Sequence, residues 1–175
     1  LAAGHALIAL FTILITLIVT EKEILQLYWI VAMASSLIAF GVINISILPL
    51  NKVFLGDAGS LMIGFIIAWV LVYYSQSPVQ SLKPVAAIWC VTIPVFDTLA
   101  VILKRIAQHK SPFAPDRLHL HHRMVDGGIR APLALAVILI SSGLINLFGI
   151  WLTYTVGNIS AILSYCALFL LFLRV

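Results

Sequence analysis

A chain of 175 residues that is 63% hydrophobic and only 9% charged, with a mean hydropathy of +1.17, lies far outside soluble composition, where roughly a quarter of residues are charged. This excludes a soluble domain and, with it, nucleic-acid binding as the meaning of the +4 net charge; the fold class is an all-α, polytopic integral membrane protein. The two cysteines, Cys90 and Cys166, lack metal-ligand spacing and fall inside apolar runs, where they fill space between helices.

Cutting the apolar runs at Pro, Gly, Asn and charge clusters predicts about six membrane helices. The first covers residues 6–20; no basic segment precedes it, so it is not read as a secretory signal. With Leu rather than Met at position 1, the chain is expected to be part of a longer protein. The next helices are predicted over residues 27–48, 61–74 and 85–103. The last two, 133–154 and 159–173, come from one uncharged run divided at "TVGN", residues 155–158, where Gly and Asn suit a tight turn. Together they make one membrane domain over 1–175, with a long polar loop at about 104–131.

The loops divide the ten Lys and Arg residues unequally: Lys52, Lys104, Arg105, Lys110, Arg117, Arg123, Arg130 and Arg174 fall on one side, Lys22 and Lys83 on the other. The positive-inside rule then places the long loop and both termini in the cytoplasm. Every polar cluster of interest lies on that face, so any chemistry uses cytoplasmic reagents.

Asp57 stands in "FLGDAGS" between Gly56 and Gly59, which remove side-chain bulk and let a ligand approach the backbone. Such a carboxylate suits Mg²⁺, a hard cation that takes one or two carboxylates together with substrate phosphates; the plainer reading makes Asp57 the N-cap of the next helix, with Ser60 assisting. Asp97 lies within a predicted membrane helix, where an ionisable group is expensive and functional by default, or else makes a structural hydrogen bond between helices. The loop "KRIAQHKSPFAPDRLHLHHRMVDGGIR" holds Asp116, Arg117, His119, His121, His122 and Arg123 within eight residues, bounded by Pro115 and Gly127, which predicts a short ordered element. Arg and His together suit phosphate oxygens; imidazoles at this spacing could instead share a metal ion. Asn44, near the inner end of its helix, and Lys52, five residues before Asp57, complete the cytoplasmic set.

In order, "NKVFLGDAGSLMIGF", "IPVFDTLAVILKRI" and "SPFAPDRLHLHHRMVDGG" resemble the polyprenyl-phosphate N-acetylhexosamine-1-phosphate transferases, of the glycosyltransferase family 4 type. The "DRLHLHH" loop is more similar to the undecaprenyl-phosphate N-acetylglucosamine branch than to the muramoyl-pentapeptide branch, whose loop carries consecutive histidines. The match runs from about residue 44 to residue 128. The family's adjacent aspartate pair and its "NxxDGxDGL" motif are absent, which again makes this chain read as a C-terminal portion.

The resemblance implies transfer of a sugar 1-phosphate from a UDP-amino sugar to polyprenyl phosphate, with release of UMP, for cell-envelope polysaccharide synthesis. It implies Mg²⁺, or Mn²⁺ in its place, a bacterial plasma-membrane location, and no objection to a homodimer. By resemblance Asp57 is the metal ligand, and Arg117, His119, His121 and His122 bind the nucleotide sugar. Asp57 and Asp97 are the candidate catalytic carboxylates, with Asn44 and Lys52 as further substrate contacts. The rival reading is an ion- or proton-coupled transporter using Asp57 and Asp97.

Overall fold

The computed structural model describes residues 1–20, 27–44, 53–76, 81–111 and 119–174. These residues form eight helices and no strand: α1 (Ala2–Val19), α2 (Leu27–Asn44), α3 (Gly56–Gln76), α4 (Pro84–Trp89), α5 (Thr92–Ala107), α6 (Leu120–Asp126), α7 (Ala131–Thr155) and α8 (Asn158–Phe172). Of these, α1, α2, α3 and α7 are long and apolar enough to cross a membrane, and α8 is a shorter apolar helix. The 25 residues of α7 extend about 37 Å at 1.5 Å per residue, enough for a hydrocarbon core of about 30 Å. An all-helical chain with several such segments is a multi-pass membrane protein. The chain falls into two compact units, Leu1–Cys90 and Val91–Val175.

In the first unit, α1 packs on α2 and α3, and α3 on α4. Ala6, Ala9, Leu10, Ile13 and Leu17 recur every three or four residues and are buried, so they form one stripe of α1 facing its neighbours. Thr12 and Thr16 lie among them and donate back to the carbonyls of Ile8 and Thr12, at 2.7 and 2.8 Å. Those bonds satisfy hydroxyls that have no water to turn to. The opposite faces are apolar too, with Phe11, Ile18, Trp29, Leu61 and Phe65 exposed; a helix apolar all round belongs in lipid.

The predicted helix at 85–103 is two helices, α4 and α5. Pro94 is the third residue of α5, where its missing N–H costs nothing. Continued back into α4, a single helix would set the proline ring against the Cys90 carbonyl. The chain therefore breaks at Cys90 and Val91 and restarts. α3 begins at Gly56, five residues before the predicted start at 61. Gly56 has φ +68°, a left-handed conformation costly for any residue with a Cβ. The division at "TVGN" holds, with Gly157 at φ +124° between α7 and α8.

In the second unit, α7 packs against α5, α6 and α8. Phe96 of α5, 1% exposed, meets Tyr165, Phe169 and Phe172 of α8 at ring-centroid distances of 4.8, 5.0 and 5.7 Å. The tilted and edge-on arrangements are the favoured ones for aromatic pairs. They fix the face of α5 that carries the next residue, Asp97.

Candidate functional site

Asp97 lies in the second turn of α5, on the stripe Asp97, Ala100, Val101, Lys104, which follows the i, i+3, i+4, i+7 spacing of one helix face. With Leu120 and Arg123 of α6 and Phe172 of α8, this stripe lines a narrow cleft of about 10 Å³. Both carboxylate oxygens of Asp97 are engaged. His119 Nδ1 lies 2.9 Å from Oδ2, and the Leu120 N–H donates to Oδ1 at 2.8 Å. A carboxylate accepts and does not donate, so the hydrogen of this contact sits on Nδ1. Leu120 is the first residue of α6 and His119 its N-cap, with no cap bond from its own side chain. A carboxylate from another helix thus satisfies one of the open N–H groups that every helix start leaves.

Beyond this clamp, α6 presents two more imidazoles. His121 and His122 have ring centroids 4.0 Å apart, and His119 and His121 stack at 6.2 Å. The Nδ1 of His121 is enclosed and has no hydrogen-bond partner among the described residues. Burial, followed by the neighbouring charge of His122, lowers the His121 pKa below its usual 6.5. The predicted short element between Pro115 and Gly127 is α6, and it ends at Gly127 and Gly128, the latter at φ +91°. Arg123, expected in the polar loop, lines the cleft, and so does Lys104, which was not expected there. The signal for Lys104 was present, since it lies seven residues after Asp97 on a helix.

Asp57 and Asn44 belong to the first unit. Asp57 is exposed in the first turn of α3, inside the helix and not at its cap. Ser60 Oγ donates to the Asp57 backbone carbonyl at 2.9 Å, so it does not assist a cap. No hydrogen bond engages the Asp57 carboxylate among the described residues. A Cβ at Gly59 would meet the Leu55 side chain at 3.1 Å, so this position favours glycine for local packing. Asn44, the last residue of α2, uses both ends of its amide: Nδ2 donates to the Phe40 carbonyl at 2.9 Å, and Oδ1 accepts the Val53 N–H at 3.1 Å. With Phe40, Val53, Phe54, Leu55 and residues 1–3 it lines a cavity of about 350 Å³.

The structure therefore brings together Asp97, His119, His121 and His122. Lys52 and Arg117 lie outside the described residues, as does Asp116. No group of three or more His, Cys, Asp or Glu side chains converges as a metal cage among the described residues, so the metal reading of "HLHH" gains no support. Asp57 fits a cation in a more limited way: one exposed carboxylate is what Mg²⁺ takes from a protein when waters and substrate oxygens complete its shell.

A multi-pass membrane protein with a polar end rich in Arg, Lys and His is the class that fold and site define. Within that class, residues 1–75 match glycosyl transferase family 4. Three relatives are undecaprenyl-phosphate alpha-N-acetylglucosaminyl 1-phosphate transferases. The protein of Haemophilus influenzae is 40% identical over 125 residues, 70% of this chain and 35% of the relative. That of Pasteurella multocida is 35% identical over 137 residues, 77% of this chain and 38% of the relative. That of Escherichia coli K12 is 34% identical over 128 residues, 73% and 35% respectively. The chain spans about a third of the length of these relatives. No solved structure matches it.

Proposed function

We propose that the intact protein transfers N-acetylglucosamine 1-phosphate from UDP-N-acetylglucosamine to undecaprenyl phosphate. The setting is the cytoplasmic face of the bacterial inner membrane, with both termini of this chain on that face, as the loop charges indicate. An oxygen of the lipid phosphate attacks the sugar-bearing phosphorus of the nucleotide. The bond from that phosphorus to the bridging oxygen breaks, and the electron pair leaves with UMP. Transfer of this kind depends on positioning and on neutralising phosphate charge more than on covalent chemistry.

The observation that carries the reading is the imidazole-bearing α6 with its Arg123, held at its start by the Asp97 carboxylate and with Lys104 of α5 in the same cleft. Arg123 and the imidazoles are donors for the diphosphate, and Arg117 of the same loop adds a planar, bidentate one. Mg²⁺, when bound, neutralises charge on the phosphate oxygens. Asp57 is the residue of this chain that would hold it, as an exposed carboxylate at the start of α3. A transporter reading has less in its favour: the relatives are transferases, and Asp97 is spent on a helix start and a histidine ring.

The test is a transfer assay on the intact protein in membranes, with radiolabelled UDP-N-acetylglucosamine, undecaprenyl phosphate and Mg²⁺. A labelled lipid product with one UMP per sugar transferred is expected. Vesicle uptake of an ion with no lipid product would overturn the proposal in favour of transport.

A further inference from the structure

We infer that Asp97 is a positioning residue that acts through His119: it fixes the hydrogen of the imidazole on Nδ1, locks the start of α6, and so turns the opposite nitrogen, Nε2, toward substrate. The inference rests on the transferase reading for its kinetic consequences, and on the geometry alone for its structural ones.

A carboxylate in direct catalysis, or one that ligates a metal, needs an oxygen to offer. At Asp97 each oxygen already holds one partner among the described residues, Oδ2 meeting His119 Nδ1 at 2.9 Å and Oδ1 accepting from Leu120 at 2.8 Å, which leaves only second lone pairs on a largely enclosed side chain. Its side chain is 18% exposed, against 38% for His119, so of the pair the histidine is the one open to a ligand. The two contacts anchor adjacent residues, and α6 follows directly with His121 and His122. One carboxylate thereby sets both the orientation of a ring and the start of the helix that carries two more. A carboxylate behind a histidine is a recurring means of choosing which ring nitrogen faces the chemistry. Asn at position 97 keeps the shape and can still accept the Leu120 N–H, but its amide hydrogens would then face Nδ1 and favour the other tautomer.

The experiment uses the intact protein in lipid nanodiscs, labelled with ¹⁵N-histidine, at a pH above the histidine range. The His119 resonances are identified by their loss in His119→Ala. The wild type is expected to show hydrogen on Nδ1, and Asp97→Asn to show it on Nε2. In the transfer assay Asp97→Asn is expected to lose about 10- to 100-fold in kcat/KM, as for removal of a partner behind a functional histidine. The double variant with His119→Ala is expected to be no worse than His119→Ala alone.

An unchanged tautomer in folded Asp97→Asn overturns the inference, and so do additive losses in the double variant. If Asp97→Asn fails to fold, Asp97→Glu takes its place in the same cycle, and additivity again overturns the claim. Absence of transfer in the wild type would remove the proposed function, while the ¹⁵N spectra would still decide the role of Asp97.

Discussion

Two aspartates in this chain stand among apolar residues in the sequence, Asp57 at the threshold of a helix and Asp97 within one, and the structure treats them oppositely. Asp57 is exposed in the first turn of α3, and its carboxylate has no partner among the described residues. Asp97 is mostly enclosed, with both oxygens committed to His119 and Leu120. The contrast separates two jobs that an acidic residue can do. An open carboxylate can take a cation, while one already hydrogen-bonded at both oxygens holds other groups in place.

The largest effect expected from breaking this contrast is at the open carboxylate. Asp57→Asn should lower divalent-dependent UMP release by about 10³-fold, the scale of losing several kcal/mol of charge stabilisation; near-normal turnover across Mg²⁺ concentrations would sink the metal assignment. On the engaged side, Arg123→Ala should raise KM for the nucleotide sugar by about tenfold or more, the worth of a hydrogen bond to a charged group. An unchanged KM would remove Arg123 from the binding set.

Smaller effects concern the scaffolds of the two sites. Gly56→Ala forces a Cβ into φ +68° and should cost about 1–2 kcal/mol of stability, read as a lower melting temperature. Gly64→Ala, in open space within α3, should cost nothing and serves as the control. Asn44→Ala removes the clasp on the Val53 N–H and should cost about 1 kcal/mol, with turnover changed less than by Asp57→Asn. A larger fall in turnover than in stability would instead make Asn44 a substrate contact.

The smallest effect is in pH. The pKa of His121 is depressed below its unfolded value of 6.5, by burial first and by His122 second. As pH falls below 6.5 the unfolded chain takes up the proton before the folded one does. The stability that neutral His121 contributes is therefore present above that pH and is lost on further acidification. The protection factors of the α6 amides, with the intrinsic pH dependence of exchange divided out, should fall below that pH in the wild type, and the change should shrink in His121→Gln.

Much of this was legible in the residues. The membrane class followed from composition, the α7–α8 division from "TVGN", and α6 from its bracketing by Pro115 and Gly127, since each signal is local. What lay beyond reach was set by geometry. Pro94 was visible, but its register relative to Cys90 decided that one predicted helix would be two. α3 starts five residues early because Gly56 can adopt a backbone that a hydropathy pattern does not record. The Asp97–His119 contact joins residues 22 apart on separate helices, and no spacing rule reaches across that distance. Sequence reading found both partners and not their pairing.

The measurement that tests the account most directly is a Mg²⁺ titration of transfer by Asp57→Asn and Asp97→Asn of the intact protein, side by side with the wild type. The account predicts that Asp57→Asn alters the metal requirement, whereas Asp97→Asn lowers the maximum rate and keeps the wild-type midpoint. A shifted midpoint in Asp97→Asn, with an unshifted one in Asp57→Asn, would contradict it.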